Sequence, residues 1–168
     1  MRKIIIFGNS GSGKSTLAKA LSRSDDSGST IAHLDLDTLA WKPSVPPERQ
    51  AVEESAREIN RFVASNTSWV IEGCYSDLLE IVIPSSTEII FMNLPVELCI
   101  QNARQRPWEP HKYESKEAQD ANLEMLVDWI SHYETRDDTF SLAAHRNLYD
   151  CYGNKKTEYI SNHRNSSD

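Results

Sequence analysis

A glycine-rich turn directly after the first apolar run constrains the fold of this chain more than any other feature. Residues 3–7 read KIIIF, the turn that follows reads GNSGSGKST, and a helical pattern of Leu17, Ala18 and Leu21 comes next. A short apolar, β-branched run predicts a strand that is buried on both faces. Glycines destabilise the interior of a helix or strand, so the sequence predicts a strand, a tight turn and a helix in direct succession.

The turn fits the pattern G-x-x-x-x-G-K-[ST] in full, from Gly8 to Ser15. Its backbone N–H groups can point at phosphate oxygens, and the following helix adds the partial positive charge of its N-terminal end. We expect Lys14 to reach the β- and γ-phosphates, Ser15 to ligate Mg²⁺ and Thr16 to lie nearer the α-phosphate. A glycine turn that matches by chance is the alternative, but its position between a strand and a helix favours phosphate binding. The predicted nucleotide-binding residues are Gly8, Asn9, Ser10, Gly11, Ser12, Gly13, Lys14, Ser15 and Thr16.

Strands and helices alternate along the rest of the chain. Apolar runs predict further strands at residues 30–36, 68–71, 87–94 and 157–161. Helical spacing predicts helices over residues 47–66, 95–106, 116–133 and 139–150. We expect a loop at 24–29, a frayed tail at 163–168 and a single domain over residues 1–168. The alternation is typical of an α/β fold whose mostly parallel five-stranded sheet is covered on both faces and binds ligands at the carboxyl ends of its strands.

The composition excludes several classes of protein. The net charge is −7, with 39% hydrophobic and 26% charged residues, which is typical of a soluble globular protein. An acidic balance argues against non-specific nucleic-acid binding, which needs a basic face. Cys74, Cys99 and Cys151 are far apart and odd in number, so we expect neither a disulfide framework nor a zinc site. No apolar run is long enough for an export signal or a membrane span, so we expect a cytoplasmic protein.

Two acids end the second predicted strand in the segment HLDLD (residues 33–37). Alternation along a strand points Asp35 and Asp37 to the same side. In a phosphoryl-transfer cleft, Asp35 can orient Mg²⁺ through water or accept the proton of an attacking hydroxyl group. For Asp37, substrate contact and a helix-capping role are equally open. We expect His33 to be packed and not to act as a ligand.

The segment WVIEGCYS (residues 69–76) likewise places an acid at the end of a predicted strand. Glu72 follows three apolar residues, as a second carboxylate that organises Mg²⁺ would, although an ordinary loop glutamate fits equally well. Gly73 lets the backbone approach a substrate closely, and Tyr75 is a candidate for substrate contact. The predicted metal ligands are Ser15, Asp35 and Glu72. The predicted substrate contacts are Asp35, Asp37, Gly73 and Tyr75.

Two arginines precede or begin the loop RPWEPHKYES (residues 106–115). Arginines beside a mobile loop can fold over a transferring phosphate and neutralise the charge of the transition state. Favourable charge at a helix C-terminus is the alternative. The candidate catalytic residues are Lys14, Asp35, Arg104 and Arg106. Three further cations fit either an anionic acceptor or surface salt bridges: Lys42, Arg49 and Arg57.

With these motifs placed, the chain resembles the adenylate kinase-like group of small P-loop kinases, which includes nucleoside monophosphate kinases, shikimate kinase and gluconate kinase. HLDLDTLAWKP (residues 33–43) and WVIEGCYSDLL (residues 69–79) look like the topology modulation (FlaR-like) branch of P-loop NTPases. The resemblance covers residues 1 to about 135. It implies ATP as the phosphoryl donor, Mg²⁺, a three-layer α/β/α P-loop NTPase fold and a lid loop at about residues 105–117.

By this resemblance, residues 11–16 are nucleotide-binding, Asp35 is the acid at the acceptor, and the two arginines match lid arginines only loosely. The sequence departs from the branch at Glu72, where aspartate is usual, and at Cys74, where asparagine is usual. The adenylate kinase stretch DGFPR does not occur, which argues against a nucleoside monophosphate as the acceptor. The name of the branch implies a DNA-linked role, which nothing in this acidic sequence supports.

The sequence and the resemblance together predict a Mg²⁺-dependent kinase that transfers the γ-phosphoryl group of ATP to the hydroxyl group of a small molecule. The expected partners are a nucleotide and that acceptor, without a membrane or a nucleic acid. The alternative is a nucleotide-dependent switch or regulatory ATPase that acts through a partner protein. Phosphorylation of nucleic-acid ends is a third possibility, which would require salt-sensitive binding to DNA or RNA. The acceptor, the choice between ATP and GTP and the oligomeric state stay open.

Overall fold

The computed structural model describes residues 1–23 and 30–162, so the loop predicted at 24–29 and the tail predicted at 163–168 lie outside the described residues. Five strands of the described part of the chain form one sheet, and all their pairings are parallel. The strands are β1 (Lys3–Gly8), β2 (Ala32–Asp35), β3 (Trp69–Gly73), β4 (Glu88–Met92) and β5 (Lys155–Tyr159). Their spatial order is β2-β3-β1-β4-β5. The prediction of a five-stranded parallel sheet is confirmed.

Helices connect these strands. They are α1 (Lys14–Arg23), α2 (Asp37–Ala40), α3 (Val52–Ser65), α4 (Ser76–Val82), α5 (Val96–Arg104), α6 (Lys116–Ser131) and α7 (Leu142–Cys151). Ser115 and Ser141 cap the N-termini of α6 and α7, each with its hydroxyl group as the acceptor of a backbone N–H. Residues 105–115, between α5 and α6, are called the lid loop below. Across residues 1–23 and 30–162, no helix combines the length and the apolar character that crossing a bilayer requires.

Side chains of the central strands alternate between two cores, one on each face of the sheet. On β1, Ile4 and Ile6 point to one core and Ile5 and Phe7 to the other, and all four are fully buried. Helices α1, α5 and α6 cover the first core, and α3, α4 and α7 cover the second. The arrangement is a three-layer α/β/α fold, as the resemblance implies.

The carboxyl end of β1 lies at a switch point of the sheet. β1 is the middle strand, and the chain crosses from one side of it to the other between β3 and β4. In open α/β sheets, ligands bind in the crevice at such a point. Gly8, Asp35 and Gly73 end β1, β2 and β3 at this edge, so the three sequence motifs meet there.

Several element boundaries differ from the sequence prediction. The helix expected from residue 47 begins at Val52, because Trp41 and Arg49 pair as an antiparallel bridge and the chain between them forms a loop. The second and fourth strands are shorter than expected, and the fifth begins at Lys155, in register with β4. Helices α2 and α4 were not predicted because they have 4 and 7 residues, too few to show a helical period.

The cysteines of the chain are unpaired. Cys74 and Cys99 are buried, and Cys151 is exposed. Burial raises the pKa of the Cys74 thiol to about 12 and that of the Cys99 thiol to about 11. The two buried thiols are therefore neutral packing groups and not nucleophiles.

Candidate functional site

One large cleft opens at the carboxyl ends of β1, β2 and β3. Its volume is about 1300 Å³, beyond the roughly 300–1000 Å³ that is typical of a pocket for one ligand. The turn after β1, the ends of β2 and β3, the lid loop and α6 form its walls. The predicted site residues that line it are Ser10, Gly11, Gly13, Lys14, Ser15, Thr16, Asp35, Asp37, Glu72, Gly73, Tyr75 and Arg106. The cleft therefore has room for two ligands beside each other.

The glycine-rich turn forms one end of the cleft. Gly11 has a φ of 79°, a left-handed conformation that favours glycine, and a β-carbon there would lie 2.3 Å from the carbonyl oxygen of Cys99. Lys14 Nζ donates to the carbonyl oxygen of Asn9 at 2.8 Å, so its ammonium group is held against the turn. A helix N-terminus and an ammonium group thus occur together, which is the chemistry that polyphosphate binding needs.

Asparagine side chains support this turn from behind. Asn9 is buried, and its Nδ2 donates to a carbonyl oxygen of α6 at 3.3 Å. Asn102 donates to the carbonyl oxygen of Gly11 at 2.8 Å, and Asn162 donates to that of Ser12 at 3.1 Å. These contacts tie α5 and the residues after β5 to the turn. Three predicted nucleotide contacts lie behind the cleft wall and not on its surface: Gly8, Asn9 and Ser12.

Ser15 and Glu72 meet where α1 begins. Ser15 Oγ donates to Glu72 Oε1 at 2.8 Å, and the same oxygen lies 3.5 Å from Nε2 of the partly buried His33. Asp35 pairs with Glu72 across β2 and β3, so a hydroxyl group and two carboxylates share this edge of the sheet. Mg²⁺ takes a few such oxygens together with water and phosphate, and these residues fit that ion. In the described ranges, no group of three His, Cys, Asp or Glu could hold a metal ion without such help.

Lys112 of the lid loop reaches the two aspartates that follow β2. Its Nζ lies 3.0 Å from Asp37 Oδ2 and 3.8 Å from Asp35 Oδ2. Asp35 Oδ1 accepts the N–H of Asp37 at 2.9 Å, because the chain leaves β2 at Asp35 and enters α2 at Asp37. The two carboxylates therefore share one side through a tight turn, and not through alternation along a strand as the sequence suggested.

The surrounding charges move the pKa values of these groups apart. Burial, together with the negative charges of Glu72 and Asp37, raises the pKa of Asp35 to about 6. Burial also opposes ionisation of Asp37, but the Lys112 ammonium group and a hydrogen bond from Tyr75 outweigh it and lower the pKa of Asp37. Burial works against the charge of Lys112 as well, yet the two aspartates raise the pKa of that lysine. Asp35 is thus the carboxylate that can take up a proton near neutral pH.

Tyr75, a predicted substrate contact, uses its hydroxyl group within the protein. The hydroxyl group donates to Asp37 Oδ1 and accepts from Trp41 Nε1, the latter at 2.9 Å. Tyr75 is 2% exposed, so it holds Asp37 and Trp41 at the cleft wall. Gly73 beside it leaves room for Leu36, since a β-carbon at Gly73 would lie 2.9 Å from Leu36 Cβ.

The structure separates the two candidate arginines. Arg106 lines the cleft, and its Nε lies 3.6 Å from Glu109 Oε1. Arg104 is not among the residues that line the cleft; its Nη1 donates to Glu124 Oε1 at 2.7 Å, and both side chains are exposed. Both arginines were predicted as catalytic candidates, and of the two only Arg106 lines the cleft. The three further cations each pair with an acid: Lys42 with Glu48 (3.7 Å), Arg49 with Asp77 (3.2 Å) and Arg57 with Glu54 (2.7 Å).

Lys112, Asn102 and Asn162 are among the residues of the site that sequence reasoning missed. Lys112 belongs to the predicted lid loop. A cation in a loop that closes over a phosphate site is a candidate site residue, so the sequence alone could have suggested Lys112. Asn102 lies on α5 and Asn162 follows β5, and neither belongs to a motif. Their roles depend on contacts between distant segments, which no local pattern records.

A parallel three-layer fold with a G-x-x-x-x-G-K-[ST] turn after its central strand defines a P-loop NTPase. A family model described as an AAA domain matches residues 4–122, and the chain belongs to that family. Among curated proteins, none matches the sequence.

Two solved structures are similar to the chain. TT1252 from Thermus thermophilus is 16% identical, with a TM-score of 0.51 over 96% of this chain and 90% of that one. Shikimate kinase from Bacteroides thetaiotaomicron is also 16% identical, with a TM-score of 0.45 over 89% of this chain and 97% of that one. At this identity, the likeness to TT1252 shows the fold alone.

Proposed function

We propose that the protein is a Mg²⁺-dependent kinase that transfers the γ-phosphoryl group of ATP to a hydroxyl group of a small molecule. One observation carries the proposal: Lys14 and Ser15 line the same cleft of about 1300 Å³ as Asp35 and Arg106. A cleft that bound a nucleotide alone would need neither this volume nor an acid whose pKa is raised to about 6. A second substrate with a proton to lose accounts for both.

Different residues of the cleft have different roles in the proposed phosphoryl transfer. The glycine-rich turn and Lys14 bind the polyphosphate, and Ser15 with Glu72 beside it would hold Mg²⁺, whose charge stabilises the phosphate oxygens. Asp35 accepts the proton of the acceptor hydroxyl group. Arg106 neutralises negative charge on the group in transfer. Residues 107–113 of the lid loop line the cleft and exclude water from it.

Coupled measurement of ATP consumption, with Mg²⁺ and a panel of hydroxyl compounds, tests this function. We expect at least one compound to raise the rate and to appear as a phosphorylated product by mass spectrometry. Lys14→Ala lowers that rate at least about a hundredfold. Lys116→Ala, the matched control, removes an exposed lysine that pairs with Asp120 and leaves the rate unchanged. If no acceptor raises the rate above the Lys14→Ala background, the proposal is wrong.

Asp35→Asn separates phosphoryl transfer from nucleotide binding. The change keeps the shape of the side chain and removes its ability to accept a proton. We expect nucleotide affinity to stay within about twofold and transfer to fall at least about a hundredfold. Full transfer by Asp35→Asn would contradict the role of Asp35. Hydrolysis that no acceptor stimulates would favour a regulatory ATPase.

A further inference from the structure

We propose that the phosphoryl acceptor carries a cationic amine in addition to its hydroxyl group, and that Asp37 and Glu109 bind this amine where Lys112 Nζ lies in the structure. The proposal rests on the proposed kinase function, because it concerns the second substrate of the same cleft. Three features of the acceptor end of the cleft support it. They are the charge of its walls, the position of one lysine and the exposure of aromatic rings.

Acids and cations both line the cleft beyond the glycine-rich turn. Four acids line it: Asp35, Asp37, Glu72 and Glu109. Cations around them already pair with acids: Arg106, Lys112, Lys42 and Arg49. Arg49 also makes a cation–π contact with Tyr75, whose ring centroid lies 4.9 Å from the guanidinium carbon. A carboxylate or phosphate on the acceptor would therefore have to separate one of these ion pairs to gain a cation, whereas an amine can take the place of Lys112 beside Asp37.

The position of Lys112 demonstrates that an ammonium group fits between these acids. Its Nζ lies 3.0 Å from Asp37 Oδ2, 3.7 Å from Glu109 Oε2 and 3.8 Å from Asp35 Oδ2. The contact with Asp37 alone is within hydrogen-bond distance. Glu109 Oε2 is buried and has no hydrogen-bond partner among the described residues. A buried acceptor atom without a donor is unfavourable, and an N–H group of a bound amine that lies closer to Oε2 than the 3.7 Å of Lys112 Nζ would satisfy it.

Aromatic rings line the same space. Trp41 and Trp108 are 43% and 42% exposed, and Tyr113 and Trp129 line the cleft with them. The faces of aromatic rings attract ammonium and quaternary ammonium groups. Trp129 already contacts a cation in this way, since the guanidinium carbon of Arg136 lies 4.0 Å from its ring centroid. Rings beside carboxylates favour a cationic ligand over a neutral polyol.

Lys112 is then an internal competitor for the ligand amine. An amine must displace Lys112 from Asp37, so removal of the lysine charge strengthens amine binding. A purely structural role for Lys112 gives the opposite result, because a loosened lid loop would weaken the binding of every ligand alike. The sign of the change therefore distinguishes the two roles.

Binding of matched ligands to the full chain tests the proposal. Calorimetry with Mg²⁺ and a non-hydrolysable ATP analogue compares tyramine with two of its analogues, in which a methyl group or a carboxylate replaces the ammonium group. The three compounds share a hydroxyl group and a ring and differ in charge. Choline and its neutral carbon isostere form a second pair without a ring. We expect each amine to bind at least about tenfold more tightly than its neutral analogue, and the carboxylate to bind most weakly.

Variants give the second part of the test. Lys112→Met is expected to bind the amines several-fold more tightly and the neutral analogues unchanged. Asp37→Asn is expected to lose the preference for the amines. Asp120→Asn, the same change at an exposed acid that pairs with Lys116, keeps the wild-type preference. Circular dichroism checks that each variant is folded.

Three results would overturn the proposal while the kinase function stands. They are equal or tighter binding of a neutral or anionic analogue, no binding of any amine by a nucleotide-loaded protein, and equal weakening of all ligands by Lys112→Met. Failure of the protein to bind the ATP analogue would instead remove the proposed kinase function, and this inference with it.

Discussion

Ser15 Oγ donates a hydrogen bond of 2.8 Å to Glu72 Oε1, and this contact joins the start of α1 to the end of β3. Glu72 is 1% exposed, and His33 Nε2 lies 3.5 Å from the same oxygen. A buried carboxylate is costly without a positive partner. A metal ion bound at Ser15 would supply one, which makes the role of Glu72 testable through the metal.

Glu72→Gln keeps an oxygen for the Ser15 hydroxyl group and removes the negative charge. We expect the Mg²⁺ concentration for half-maximal ATP consumption to rise at least about tenfold, as for other residues that orient metal ligands. A magnesium titration of ATP consumption measures it. Glu58→Gln, on an exposed acid of α3 that pairs with Arg61, is the control and keeps the wild-type requirement. An unchanged requirement in Glu72→Gln would mean that this carboxylate does not act on the ion.

Gly11→Ala tests the close approach of the turn to α5. The alanine would have to adopt a φ of 79° with its β-carbon 2.3 Å from the carbonyl oxygen of Cys99, so either the turn or α5 must move. We expect a loss of about 2 kcal/mol or more in the free energy of unfolding and at least about tenfold weaker nucleotide binding. Urea denaturation and calorimetry measure the two effects. Gly153→Ala is the control, because nothing lies within 4 Å of the added atom. Its free energy of unfolding should stay within about 0.5 kcal/mol of the wild-type value. Similar losses of stability in both variants would contradict the proposed clash at Gly11.

The stability of the protein depends on pH through His145. The residue is fully buried, its Nε2 donates to the carbonyl oxygen of Cys74 at 2.8 Å, and its Nδ1 accepts from the Tyr133 hydroxyl group at 2.7 Å. Burial lowers the pKa of His145 from 6.5 to about 4. Between these values the unfolded chain binds a proton that the native protein does not, so stability falls as pH falls through this window.

We expect this histidine to account for a loss of about 2 kcal/mol in the free energy of unfolding between about pH 7 and about pH 5. Urea denaturation at the two pH values measures the loss. His145→Gln retains a hydrogen-bonding side chain that does not ionise, so it should be less stable at about pH 7 but lose less on acidification. Equal losses of unfolding free energy in the variant and the wild type would show that a group other than His145 causes the loss of stability at acidic pH.

Local patterns suffice to predict the sheet and the nucleotide end of the cleft. The apolar run of β1, the glycines and Lys14 are adjacent in the sequence, so one short segment contains the whole strand, turn and helix start. Asp35 and Glu72 can be predicted to meet because the carboxyl ends of parallel strands share an edge, and they pair in register. Both predictions use geometry that repeats in every parallel sheet.

The contacts around Lys112 and Asp37 cannot be predicted in this way, because they join distant segments of irregular structure. Lys112 lies in a loop without periodicity, and its pairing with Asp37 depends on how the lid loop returns over β2. The hydroxyl group of Tyr75 is taken by Trp41 and Asp37, which belong to a different turn. A sequence shows that these polar groups exist, but only their placement shows whether they contact a ligand or each other.

Arg104, the last residue of α5, and Arg106, in the lid loop, are a matched pair for the last prediction. They are two residues apart, so on a continuing helix their side chains point about 200° apart, and the sequence alone does not say which one faces the cleft. The structure assigns that position to Arg106, while Arg104 pairs with the exposed Glu124.

Arg106→Gln is therefore expected to lower kcat about a hundredfold or more with a small change in KM, because it removes charge compensation in the transition state. Arg104→Gln leaves kcat within about twofold, since it loses only an exposed ion pair. Steady-state kinetics with the acceptor found in the panel measures both variants, and an equal fall in kcat would contradict the assignment of charge compensation to Arg106.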